Sequence, residues 1–161
     1  MGQVIRDERL VDDDFTRLTD DEARVDGDII VSLARWRRER DELMRHPGRV
    51  SVVVQSDDSV DELAQDFHHF AFIALEFASF TDGRGYSQAR RLREQYHYRG
   101  ELRAVGEVLV DQLYLMRRCG IDAYQLRDDQ DPQAALAALN ALSVHYQSAA
   151  DGSGRPAWRR R

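Results

Sequence analysis

The chain has 161 residues, 42% of them hydrophobic, which suits one globular domain with a buried core and leaves too little for a second full domain. Acidic residues outnumber basic ones by 29 to 23, and the net charge of −6 disfavours nucleic-acid binding, because neutralising phosphates needs a positive face. All 23 basic side chains are arginine, so Schiff-base and P-loop lysine chemistry are excluded; the lone Cys119 excludes an internal disulfide, a dithiol redox pair and a thiolate zinc site within one chain.

Residues 1–28 are acidic and irregular, with Val4-Ile5 and Arg9-Leu10-Val11 as short strands around a turn at Asp7-Glu8. They read as an N-terminal β ribbon or cover. From residue 29 to 147, short apolar runs alternate with amphipathic stretches, the pattern of a single α/β domain built from about five βα units. Strands are expected near 28–32, 50–54, 72–77, 101–105 and 123–126. Between them the spacing predicts helices: one carrying Leu33, Trp36 and Leu43, and one opening at a Ser59/Glu62 capping box and burying Val60, Leu63, Ala64, Phe67 and Phe70. Two more run over about 86–98 and 108–118. Asp131-Pro132 starts a last helix with Leu136, Leu139 and Leu142 inward, and residues 148–161 read as a disordered tail. The expected architecture is a mainly parallel sheet, doubly wound or a partial barrel. No stretch approaches the roughly 18 to 20 apolar residues of a membrane span, and the N-terminus has no apolar signal core. This predicts a cytoplasmic protein with no membrane contact.

In parallel sheets ligands bind beyond the carboxyl ends of the strands, which directs attention to the loops after the third and fourth expected strands. Asp82-Gly83-Arg84-Gly85-Tyr86-Ser87 joins flexible backbone to a fixed charge ahead of a helix, suited to a small oxyanion or phosphate; the bland alternative is Asp82 capping the helix while the glycines turn the chain. Arg103 alternates onto the same strand face as Val105 and needs a partner there, for which Glu76 on the neighbouring strand is the candidate. Asp111, a candidate acid or base, and Gln112 sit at the start of the following helix. The expectation is that residues 82–86, Arg103 and Asp111 line one pocket. The five histidines make no metal constellation, and no nucleotide fingerprint or other cofactor motif is present.

The run from Phe80 to Arg93, followed by Gly100-Glu101-Leu102-Arg103-Ala104-Val105-Gly106-Glu107 through Asp111-Gln112, and by Arg117-Arg118-Cys119-Gly120-Ile121-Asp122-Ala123-Tyr124, resembles a bacterial family catalogued as domain of unknown function 934. The resemblance extends over about residues 4–147. It implies an accessory role in assimilatory sulfate and sulfite reduction, beside sulfite reductase or another enzyme of that pathway. Some members are labelled oxidoreductases, although no dithiol, iron–sulfur ligand set or nucleotide fingerprint occurs here. The alternative is a small enzyme acting on an anionic or phosphorylated metabolite.

Overall fold

The computed structural model describes residues 2–79 and 81–149. The ribbon expected at the N-terminus is a hairpin of β1 (Gly2–Arg6) and β2 (Arg9–Asp13), closed by Asp7 and Glu8, both at positive φ (51° and 62°). A two-residue hairpin loop needs that backbone so that its twist matches the strands. Then follow β3 (Thr16–Arg17), β4 (Ile29–Ser32), α1 (Leu33–Leu43), β5 (Val50–Val54), β6 (Phe70–Phe77), α2 (Arg84–Arg90), β7 (Glu101–Gly106), α3 (Leu113–Arg118), β8 (Ala123–Tyr124) and α4 (Pro132–Ala149). The tail expected from 148 lies, from residue 150 on, outside the described residues.

All eight strands form one sheet in the order β2-β1-β8-β7-β6-β5-β4-β3. It is mixed, not mainly parallel: β3 to β8 run parallel to their neighbours, but β1 is antiparallel to both β2 and β8. The ribbon is therefore part of the sheet, because its Ile5 and Arg6 find backbone partners on the short edge of β8.

Chain connectivity also forces a curl. β2 and β3 are the two edges of the sheet, yet only Asp14 and Phe15 separate them in sequence. Three Cα–Cα steps from Asp13 to Thr16 span at most about 11 Å, whereas a flat eight-stranded sheet would hold its edges about 34 Å apart. The sheet therefore bends round until its edges face each other, which is the barrel-like rather than the doubly wound alternative. Since β3 to β8 follow one another in space as in sequence, right-handed crossovers put the intervening helices on one face. That outer face holds the larger core, with Val31, Trp36, Val52, Leu75, Leu102 and Met116 among its buried members. The inner, helix-free face holds Ile30, Val53, Phe72, Ala74 and Val105, against which Phe15 packs from the edge-to-edge link.

Several expected helices are shorter than their periodicity implied. Residues 59–70 form only two tight 3₁₀ turns, Val60–Leu63 and Phe67–His69, and the Ser59 side chain caps neither. The cause lies between them. Asp66 is buried and points to α1, accepting from Trp36 Nε1 (2.9 Å) and from Nε and Nη2 of Arg40 (2.7 to 3.2 Å), a tertiary claim that outweighs a continuous helix. Val60 and Leu63 are buried as expected, while Ala64 is exposed. α2 runs on through a widened π turn at Arg91–Gln95, and α3 is preceded by a 3₁₀ turn at Val110–Gln112.

Candidate functional site

The Gly-Arg-Gly loop is chemically closed on itself. Arg84 donates from its backbone N–H to Asp82 Oδ1 (3.1 Å) and from its guanidinium to both Asp82 oxygens (3.0 and 2.9 Å). Those hydrogen bonds from Arg84 hold the Asp82 carboxyl far below the usual carboxylate range. An anion approaching Arg84 therefore meets a guanidinium already matched by a carboxylate. Gly83 is the exposed residue before α2. Gly85 is there for packing: a Cβ at this position would lie 2.7 Å from the Phe77 ring, on which the Tyr86 ring also stacks edge-on at 5.1 Å. Ser87 is exposed.

Arg103 lies on the inner face as the alternation required, 1% exposed, with its guanidinium 3.6 Å above the Phe72 ring. Its expected partner is corrected. Arg103 binds Glu101 (2.8 Å) and Asp13 (3.1 Å), while Glu76 binds Arg17 (2.7 Å). Register explains the exchange, since Ala74 sits beside Arg103 and Glu76 beside Val105, one pleat nearer the carboxyl edge. Asp111 is exposed in the 3₁₀ turn that also contains Gln112. Neither the 82–87 loop, Arg103 nor Asp111 lines either of the cavities described next.

The carboxyl ends of the parallel strands open onto two adjoining cavities that share Arg17 and Val53. The larger, about 480 Å³, occupies the mouth of the curled sheet, with Ile30, Val53, Ala74 and Val105 as an apolar floor and Phe15, Gly106 and Gln125 around it. This volume is within the range of small-molecule sites. Its charged lining residues are Asp13, Arg17, Arg127 and Asp128. The smaller, about 430 Å³, lies above β4 and β5 and reaches Asp20, Ser32 and Asp58. There Ser32 donates to Asp20 (2.5 Å) and accepts the Arg35 N–H (3.0 Å), capping α1.

These charges are not equally available. Arg127 is occupied on both edges, by Glu107 (2.6 Å) and by both oxygens of Asp129 (2.6 and 2.7 Å). Asp13 faces the buried Arg103. Arg17, by contrast, donates one hydrogen bond, from Nη2 to Glu76, and among the described residues its Nε and Nη1 donate none. It stands half exposed where the two cavities meet.

The chain belongs to the bacterial family of unknown function DUF934. The family model matches residues 51–158, from β5 onward. No curated protein and no solved structure matches the chain. Within this DUF934 chain, several positions of the resemblance have structural duties. The buried Arg93 donates to the carbonyls of Tyr98 (2.7 Å), Gly100 (2.8 Å) and Gly120 (2.9 Å), tying the approach to β7 to the end of α3. Gly106 has φ 89° and would bring a Cβ to 2.5 Å from the Phe77 carbonyl oxygen; Gly120 has φ 99° and abuts Arg93. The mouth instead takes Gly2, Asp13, Phe15, Thr16, Arg17 and Ile30 from ahead of the matched region. Arg17 escaped the sequence reading because a two-residue edge strand carries no periodicity. Gln125 to Asp128 follow the last parallel strand, not the third or fourth expected strand to which the rule about carboxyl ends was applied.

Proposed function

We propose that this protein is a cytoplasmic accessory factor of assimilatory sulfite reduction that handles a small anionic ligand, and that it does so at the mouth of the curled sheet with Arg17 as the anion anchor. The pathway rests on the family resemblance. The single observation that carries the site is the half-exposed Arg17 guanidinium, oriented by Glu76 on one nitrogen and, among the described residues, free on its other edge, over a cavity of about 480 Å³. Exposed ion pairs contribute at most about 1 kcal/mol, so a ligand anion competes with Glu76 at little cost, and a bidentate guanidinium contact is among the stronger anion interactions. Calorimetry with sulfite, sulfate and phosphate on the parent, Arg17→Ala and Arg84→Ala tests the site: the parent and Arg84→Ala bind, and Arg17→Ala does not. Absence of anion binding by the parent, or binding lost only with Arg84, refutes it. Deleting the gene tests the pathway, with slower growth on sulfate rescued by cysteine as the expected outcome.

A further inference from the structure

Charge matching in the mouth narrows the class of ligand beyond an anion. Four charged side chains line the larger cavity. Two are already satisfied, Asp13 by Arg103 and Arg127 by Glu107 and Asp129. What remains is one edge of Arg17 and the whole of Asp128, which is exposed and, among the described residues, makes no hydrogen bond or ion pair. Arg17 comes from β3 and Asp128 from just beyond β8, the two ends of the parallel run, and the apolar floor lies between. A simple oxyanion would answer Arg17, leave Asp128 repelling it, and cover none of Ile30, Val53, Ala74 or Val105.

We propose that the mouth takes a zwitterionic metabolite: a carboxylate on Arg17, an ammonium on Asp128, and an apolar carbon skeleton over the floor. This rests on the reading of Arg17 as the anion anchor. Each element answers one unmet demand of the cavity. The guanidinium edge presents two parallel N–H donors to a carboxylate, and the free carboxylate accepts from an ammonium. The skeleton removes apolar surface from water.

The test titrates the full chain with two zwitterions, L-leucine (adjacent charges) and 6-aminohexanoate (separated charges), and with their counterparts lacking the amino group, 4-methylpentanoate and hexanoate. At least one zwitterion should bind about tenfold more tightly than its counterpart, the difference one charged contact provides. Asp128→Asn should erase that difference without weakening the counterpart, whose carboxylate no longer meets a like charge; Arg17→Ala should abolish binding of both. Asp128 is exposed and, among the described residues, unpaired, so its variant folds as the parent does. If the des-amino acids bind as tightly as the amino acids, or Asp128→Asn weakens both alike, the zwitterion assignment is overturned and the anion anchor stands. If no probe binds and simple anions also fail, both fall.

Discussion

Replacing Arg103 by Ala is the perturbation with the most calculable consequence. Three interactions end together: the ion pair to Asp13 at 3.1 Å, the pair to Glu101 at 2.8 Å and the stack on Phe72 at 3.6 Å. The two carboxylates do not suffer equally. Glu101 keeps Arg6, at 3.2 Å, whereas Asp13, 8% exposed, keeps among the described residues only a long hydrogen bond from the Phe15 N–H at 3.4 Å. The stranded charge is therefore Asp13, and removing one member of a buried pair costs about 3 to 5 kcal/mol. A desolvated cation–π contact, worth about 2 kcal/mol, places the expected loss in the upper part of that range. At about 2 to 4 °C per kcal/mol for a chain of this size, the melting midpoint should fall by about 8 to 20 °C. Adding Asp13→Asn to Arg103→Ala removes the stranded charge and keeps an acceptor for Phe15, so the double variant should recover more than about 1 kcal/mol in urea unfolding. A loss below about 1 kcal/mol for Arg103→Ala, or no recovery in the double variant, would refute the assignment of Asp13 as the dependent partner.

Asp66 gives a pH prediction. Hydrogen bonds from Arg40, then from Trp36, hold its carboxyl below the ordinary value against the opposing effect of burial. A folded value depressed below the unfolded one contributes stability that is complete above about pH 4 and is lost as the pH falls through the folded value. The difference in melting midpoint between the parent and Asp66→Asn, which still accepts from Trp36, should thus shrink on acidification; a constant difference would count against it. Gly106→Ala should lower stability by about 1 to 3 kcal/mol, because it combines a positive φ with a Cβ driven onto the Phe77 carbonyl, and denaturant unfolding reads this directly. Arg84→Ala should leave the melting midpoint nearly unchanged, since the side chain is exposed and, among the described residues, bonded only to the nearby Asp82; a large drop would show a packing role.

The strands from Ile29 to Tyr124 were legible because buried β-branched runs bounded by Pro-Gly, Gly and polar turns leave little alternative, and five of them fall near their expected ranges. Arg103 could be placed on a buried face by alternation alone. The pairing of Asp82 with Arg84, two residues apart, was local enough to be read but was not: the loop read as an oxyanion site, or as Asp82 capping the helix, whereas Asp82 is bonded to Arg84. The helix over 59–70 was not legible, because what prevents it is Asp66 reaching residues of α1, 26 and 30 positions away in sequence.

Thus the sequence by itself determined the strand and helix periods, the need of Arg103 for a counter-charge and the excluded chemistries, all of which depend on composition or on residues a few positions apart. The tertiary structure decided which carboxylate answers Arg103, that β1 joins β8, and that Arg17 and Asp128 line one cavity. The physical reason is the two-residue link between β2 and β3: it is too short to cross a flat sheet, so it curls the sheet and brings residues 17 and 128 to the same mouth. That constraint is visible only when the strand order is known.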